Sequence, residues 1–366
     1  DDTHEGERAA GSGGRLVGLP GSGPGASARF VQVAPARVSI DEVPDEHGGF
    51  VYPEWDASKR RYRPRWCTVF ERDIARHELR PLDRPPGDYA LRRRLAHLGV
   101  GLERRRRQIQ GDDLDLDAVV ESRVQLAAHS TPDENVYVES QRRRRDLGVL
   151  VLIDVSGSTG DDSPYGGTIH DRQLVAAAQL IDTLNVLGDR VAAYGFRSRG
   201  RKAVEIVRVM TFDEPLDGLA LERLGGLSPT AFTRMGAAIR HAAHLVESGS
   251  GTPRRLLVVL SDGLAYDDDY ERAYGEADTR RALTEARERG VGCLCLSIGG
   301  GSDAEALRRV FGTSAHASAA RLEDLRDIIG PLFRGALNSA ESRRRLVQRS
   351  TRLGSHAARA RVGAVE

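Results

Sequence analysis

The sequence predicts an α/β fold: a doubly wound, mostly parallel sheet with a smaller N-terminal helical and extended region. Three observations carry that prediction. Apolar runs of strand length, such as Gly148–Ile153 (GVLVLI) and the start of Arg255–Gly263 (RLLVVLSDG), are bounded by charge before and by small polar residues after. Strands apolar at consecutive positions need cover on both faces, as parallel strands have. Segments of helical period separate these runs, so strands and helices alternate from about residue 147 onward, the pattern of βαβ units. The runs also end in oxygen-bearing residues, at the edge where open α/β sheets bind ligands.

The chain has 366 residues, enough for one large domain and a smaller one. Residues 1–28 are rich in Gly and Ser, with GSGG at Gly11–Gly14 and GSGPG at Gly21–Gly25. They cannot bury much apolar surface and read as a flexible tail. Residues 29–146 read as an extended and helical region packed on the main domain. Phe50–Asp56 (FVYPEWD) and Tyr62–Glu71 (YRPRWCTVFE) hold both tryptophans and many β-formers, which predicts a loose hairpin whose aromatics pack on the main domain. Leu91, Leu95 and Leu98 form a helical stripe over Tyr89–Arg107, with Arg104–Arg107 continuing its end. Leu116, Val119, Val120 and Val124 predict a second helix.

The main domain is predicted over 147–340. Its expected helices are Asp171–Leu187, Thr233–Glu247, Asp278–Arg289, Ala304–Phe311 and Leu322–Leu337. Its expected strands are Gly148–Ile153, Val191–Phe196, Val204–Phe212, the run ending at Asp262, and Val291–Ile298. Residues 341–366 are an Arg-rich C-terminal tail, helical or disordered.

Composition removes several function classes. Net charge is +1, with no global pull toward nucleic acid or membrane; the arginine run at 104–107 reads as a solvated face or a helix C-terminus, and that at 142–145 directly precedes the strand leading to Asp154. Lys59 and Lys202 are the only lysines. A phosphate-binding P-loop needs Lys directly after its second Gly, and Gly195–Gly200 (GFRSRG) is followed by Arg201. The chain is therefore not expected to hydrolyse ATP by that route. Cys67, Cys293 and Cys295 are an odd, sparse set that fits a reducing compartment. Cys293 and Cys295 alternate on one strand and read as small core residues. No apolar stretch reaches the ~18–20 residues of a membrane span, and the first residues lack a basic-then-apolar signal pattern. A soluble cytoplasmic protein is expected.

One constellation remains. VLIDVSGSTG at Val151–Gly160 presents Asp154, Ser156 and Ser158 where a strand stops. Thr233 stands at the head of a predicted helix, TRMGAAIRHA, and Asp262 at the end of the strand LSDG. Two carboxylates and three hydroxyls from three loops on one rim suit a hard cation such as Mg²⁺ (or Mn²⁺ or Ca²⁺), which takes oxygen ligands and keeps waters. Hydroxyls add no charge, so the cation keeps an open, electrophilic position for a carboxylate from outside. Asp267–Tyr270 (DDDY) is a second acidic run, read as a solvated loop whose charge Arg280 and Arg281 balance. His241 and His244 lie three apart but lack further ligands, and with His170 read as surface or packed histidines.

The five site residues resemble the von Willebrand factor A domain and its metal-ion-dependent adhesion site, over Leu147 to Leu337. The resemblance implies that Asp154, Ser156 and Ser158 come from the first strand's loop, Thr233 from the second loop and Asp262 from the fourth-strand loop. All five positions are filled, which argues against a degenerate, metal-free site. FVYPEWD, YRPRWCTVFE, GDDLDLDAVVE at Gly111–Glu121 and the segment Asp262–Leu283 further resemble the C-terminal part of the NorD/CbbO family, which includes the nitric oxide reductase activation protein and a rubisco activase adaptor. That resemblance implies a non-catalytic adaptor, working beside a MoxR-type AAA+ ATPase ring on a client metalloenzyme. The alternative is a metal-dependent phosphohydrolase, but such an enzyme wants a second carboxylate two residues after the first, where Ser156 stands, and a lysine near the phosphate. A serine hydrolase would need Gly where Asp154 is.

Overall fold

The structure is a computed structural model and describes residues 48–96, 102–142, 146–263, 265–300 and 304–342. The expected tail at 1–28 lies outside these residues, as does all but the start of 341–366.

Among the described residues an eight-stranded sheet runs in the order β1-β2-β8-β7-β6-β9-β10-β11. Its strands are β1 (Phe50–Asp56) and β2 (Arg61–Asp73), then β6 (Leu147–Asp154), β7 (Arg190–Ser198), β8 (Val204–Met210), β9 (Arg254–Leu260), β10 (Val291–Ile298) and β11 (Ala315–Ala319). A separate three-stranded sheet holds β3 (Leu102–Gln108), β4 (Asp113–Leu114) and β5 (Tyr137–Arg142). β6, β7, β9, β10 and β11 pair in parallel, whereas β7–β8 and β1–β2 are antiparallel. The predicted hairpin is thus part of the main sheet: β2 pairs in parallel with β8.

β6 is central. Val149 faces Val191 on one side and Leu256 on the other. All eight of its residues are buried, and successive side chains enter opposite cores, as the period of a strand requires. Val149, Val151 and Ile153 join the first core; Leu150 and Leu152 join the second. The helices divide accordingly. α1 (Tyr89–Ala96), α3 (Ile169–Val186), α4 (Gly218–Gly225) and α8 (326–342) cover the first core. α5 (Met235–Gly249), α6 (Arg272–Glu288) and α7 (Ala304–Phe311) cover the second. α3 starts at a capping box, with Thr168 accepting from the Asp171 amide. Asp217 caps α4 in the same manner through the Ala220 amide.

Three details depart from the sequence reading. The helix expected over Tyr89–Arg107 is described over Tyr89–Ala96, and Arg104–Arg107 belong to β3; Leu98 lies outside the described residues. Gly99 and Gly101 stand between the two elements in the sequence, and glycine is costly inside a helix. The arginines beyond them pair with acids rather than ending a helix: Arg106 with Asp117 at 3.2 Å and Arg107 with Glu121 at 2.6 Å. Those acids belong to α2 (Leu116–Ala127), the second helix the sequence predicts. Finally, β4, β5, α4 and β11 appear without having been anticipated.

Candidate metal centre

The chain passes from β6 to β7 on one side and later to β9 on the other, so β6 ends at a topological switch point, where open α/β sheets form a crevice. Asp154 is the last residue of β6 and has no exposed surface. Its Oδ1 accepts from the Ser156 amide at 3.0 Å, and its Oδ2 from the Ser261 hydroxyl at 2.7 Å. Beyond it the chain turns through Gly157–Gly160, with the Thr159 hydroxyl donating to the Ser156 carbonyl at 2.8 Å. That turn sets the Ser156 and Ser158 hydroxyls 3.2 Å apart.

The second loop is stitched to the first. The Gly157 amide donates to the Ala231 carbonyl at 3.0 Å, and the Thr230 amide to the Val155 carbonyl at 2.9 Å. Ala231 takes a left-handed φ of +65° to make this turn, a conformation that costs a non-glycine residue free energy. Thr233, 2% exposed, follows two residues later and donates its amide to the Tyr266 carbonyl at 2.6 Å. It does not open the helix, as expected from the sequence; α5 begins at Met235 and Arg234 takes the cap position. The third loop follows β9. Ser261 donates to Asp154, and the Ser261 hydroxyl accepts from the Gly263 amide at 3.0 Å, with Gly263 at a φ of +87° that favours glycine. Asp262, 4% exposed, lies two residues past the end of β9.

The electrostatics are unusual for a buried group. Burial, and then the Asp262 carboxylate, push the Asp154 carboxyl up to about 7. Both causes disfavour a buried negative charge, and a nearby cation would relieve both. Acids and imidazoles alone do not suffice: among the described residues no three His, Cys, Asp or Glu side chains converge as ligands. A cation here would depend on hydroxyls, and paired serine hydroxyls stand next to Asp154. Hard oxygen donors of mixed charge suit Mg²⁺, Mn²⁺ or Ca²⁺ rather than a softer metal. The donor set therefore fits the cation that the sequence suggests.

Sequence reasoning missed three residues around this rim. Ser261 was visible within LSDG, but only its neighbour was assigned. Arg234 and Asp267 form a buried ion pair at 3.0 Å. The acidic run is therefore not simply a solvated loop balanced by Arg280 and Arg281: Asp267 is fully buried and Arg234 is its partner. The other candidates are structural. The His170 ring contacts the Leu227 carbonyl at 2.7 Å, and His241 Nδ1 lies 2.9 Å from the Tyr52 hydroxyl. All three cysteines are buried and free. Most of the Gly195–Gly200 segment is β7 rather than a loop, and the Lys202 amine reaches the Thr68 hydroxyl at 3.5 Å. No helix among the described residues is long and apolar enough to cross a membrane.

Residues 149–330 match the family model described as von Willebrand factor type A domain. The chain is 36% identical over 289 residues to the protein NorD of Brucella suis, covering 77% of this chain and 45% of that one. An uncharacterised protein of Pseudomonas aeruginosa is 35% identical over 300 residues, covering 78% and 47%. The chain thus spans about half the length of the curated relatives it matches. A solved von Willebrand factor type A structure from Catenulispora acidiphila aligns with 56% of this chain and 44% of its own at 16% identity, with a TM-score of 0.35. The α/β sheet and the family match together establish that this chain belongs to the von Willebrand factor type A domain proteins and is similar over most of its length to NorD.

Proposed function

We propose that this chain is a metal-dependent protein-binding adaptor in which Asp154, Ser156, Ser158, Thr233 and Asp262 hold a Mg²⁺ ion. The observation that carries the reading is Asp154 itself: a fully buried carboxylate at the switch point, beside a like charge and two converging hydroxyls. Bound there, the ion supplies an electrophilic position that a partner's Asp or Glu completes. The chain's own residues shape that contact. Ser261 and the Ser156 amide hold Asp154 in one orientation. The Ala231 and Thr230 backbone bonds hold the Thr233 loop against it. Rim charge-pairs of this kind give specificity because the incoming carboxylate must reach a recessed point.

The similarity to NorD supports a role beside a MoxR-type AAA+ ATPase ring, which supplies force, with nitric oxide reductase favoured over a rubisco as the client metalloenzyme. The chain itself does no chemistry in this reading, and the complex works in the cytoplasm. The test is a pull-down of the candidate ring ATPase and of nitric oxide reductase, in Mg²⁺ and in EDTA. Capture in Mg²⁺ that is lost in EDTA and in Asp154→Ala or Ser156→Ala is expected. Equal capture in both buffers rejects the metal contact. ATP turnover by the purified chain alone would contradict the adaptor role.

A further inference from the structure

Arg234, next in sequence to Thr233, is among the largest fully buried side chains of the protein, with 1% of its surface exposed. A buried guanidinium requires partners for its charge and its donors. Nη1 donates to Glu54 of β1, Nε to Asp267 at 3.0 Å, and Nη2 to the Asp268 carbonyl. The Tyr270 ring lies 4.6 Å from the guanidinium carbon. Burial works against the charge, but Glu54 and Asp267 outweigh it and hold the arginine protonated.

Each partner is itself fixed. Glu54 also accepts from the Tyr274 hydroxyl at 2.8 Å and the Cys67 thiol at 3.1 Å. Asp267 also accepts from the Gly200 amide at 2.9 Å. At the second residue of α5, the Gly236 amide donates to the Tyr270 hydroxyl at 3.1 Å. That hydroxyl donates to Asp278 at 2.8 Å, and Asp278 accepts from the Trp55 amide of β1 at 2.8 Å. Gly236 has no room for a side chain, because Asp278 occupies that space. On the backbone side, the Arg234 amide donates to the Ser198 hydroxyl at 2.9 Å, and Phe232 pairs with Ser198 in both directions at 2.8 and 2.9 Å.

A buried arginine between carboxylates gains little net stability over a well-packed apolar residue. What it does gain is geometry: the planar fork meets all these acceptors in one orientation only. We infer that Arg234 is a positioning residue, which through Glu54 and Asp267 holds the Thr233 hydroxyl at the cation rim, so that the β1–β2 hairpin sets cation affinity. This inference rests on the metal reading proposed above. Linkage makes the coupling reciprocal: whatever the hairpin contributes to cation binding, the cation returns to the docking of the hairpin.

The test is calorimetric titration of the full chain with MnCl₂ alone, below the unfolding midpoint of every variant. Orienting partners of metal ligands are worth about 10–100-fold in affinity. Glu54→Gln and Arg234→Lys are therefore expected to weaken Mn²⁺ binding at least about tenfold. Phe333→Leu, in the core on the opposite face, serves as a control that loses stability and keeps its affinity. Mn²⁺ should also slow hydrogen exchange of the Trp55 amide in the wild type and fail to do so in Arg234→Lys. If the wild type binds no Mn²⁺, the metal reading itself falls. If the wild type binds and the folded variants bind equally well, the metal reading stands and the positioning role is overturned. Should the charge variants not fold, Tyr274→Phe, which removes one bond to Glu54 from a half-buried position, carries the test. A fall of about twofold or more supports the role, and unchanged affinity rejects it.

Discussion

Asp154 and Asp278 are both fully buried carboxylates of the same domain, and their surroundings differ in kind. Asp278 pairs with Arg240 at 2.7 Å and also accepts from the Tyr270 hydroxyl and the Trp55 amide. Asp154 accepts from the Ser261 and Ser156 side chains and the Ser156 amide, makes no ion pair among the described residues, and feels the like charge of Asp262. The domain thus neutralises one buried acid internally, whereas the other meets neutral donors and repulsion. Burial alone does not separate a structural acid from a candidate metal ligand; the sign of the nearby charge does.

The most direct way to break this comparison is to give Asp278 the surroundings of Asp154. Arg240, 1% exposed, serves both Asp278 and Glu285, at 2.7 and 2.8 Å. Arg240→Met leaves two acids without their shared cation. Removing one partner of a buried pair costs about 3–5 kcal/mol. The expected result is a urea midpoint lowered by that free energy, with an unchanged slope. A loss below about 1 kcal/mol, the worth of an exposed pair, would mean that water reaches these acids and that the contrast with Asp154 is not real.

The next change runs the other way and gives Asp154 a cation. At about a hundredfold excess over its dissociation constant, a cation that binds only the folded state stabilises it by about 2.7 kcal/mol. Thermal melts in MnCl₂ should rise by that amount and return on adding EDTA. Asp154→Asn removes one of two facing like charges. That variant should melt no lower than the wild type in EDTA at pH 8 and gain nothing from MnCl₂. A wild-type level of metal stabilisation in Asp154→Asn would show that the ion binds elsewhere.

Legibility in the sequence followed the same division. β6 and β10 are apolar at nearly every position because both faces are covered, so the parallel sheet could be read from single strands. The rim residues are confined to loop motifs at strand ends, and Asp154, Ser156 and Ser158 lie within one turn. The internal neutralisation of Asp278 and Asp267 could not be read this way. Arg234 and Glu54 lie 180 positions apart, and the bond between them exists only because β1 joins the sheet beside α5. By composition alone DDDY looks solvated, yet its first aspartate is the one the fold buries. Arg104–Arg107 fit either a helix end or a strand until the acidic partners of Arg106 and Arg107 on α2 are known. β11 (AHASA) is too short and too weakly apolar to announce itself.

A smaller effect sharpens the comparison through pH. The Glu285 carboxyl is pushed up by burial, but Arg240 outweighs this by charge and by hydrogen bonds, with help from the Tyr62 hydroxyl, so its net position is below the usual glutamate range. A carboxyl lowered in the folded state contributes stability that is fully present above its unfolded value near 4.5 and is lost as pH falls through the lowered value. Asp154, raised in the folded state, has the opposite sign and cannot produce this acid limb. Wild-type urea midpoints should therefore decline as pH falls below about 4.5, and Glu285→Gln, which keeps the shape and loses the titration, should show a shallower decline. If the two profiles run parallel through the acid range, Arg240 is not holding Glu285 in its charged form, and the matched surroundings claimed for that face lose their support.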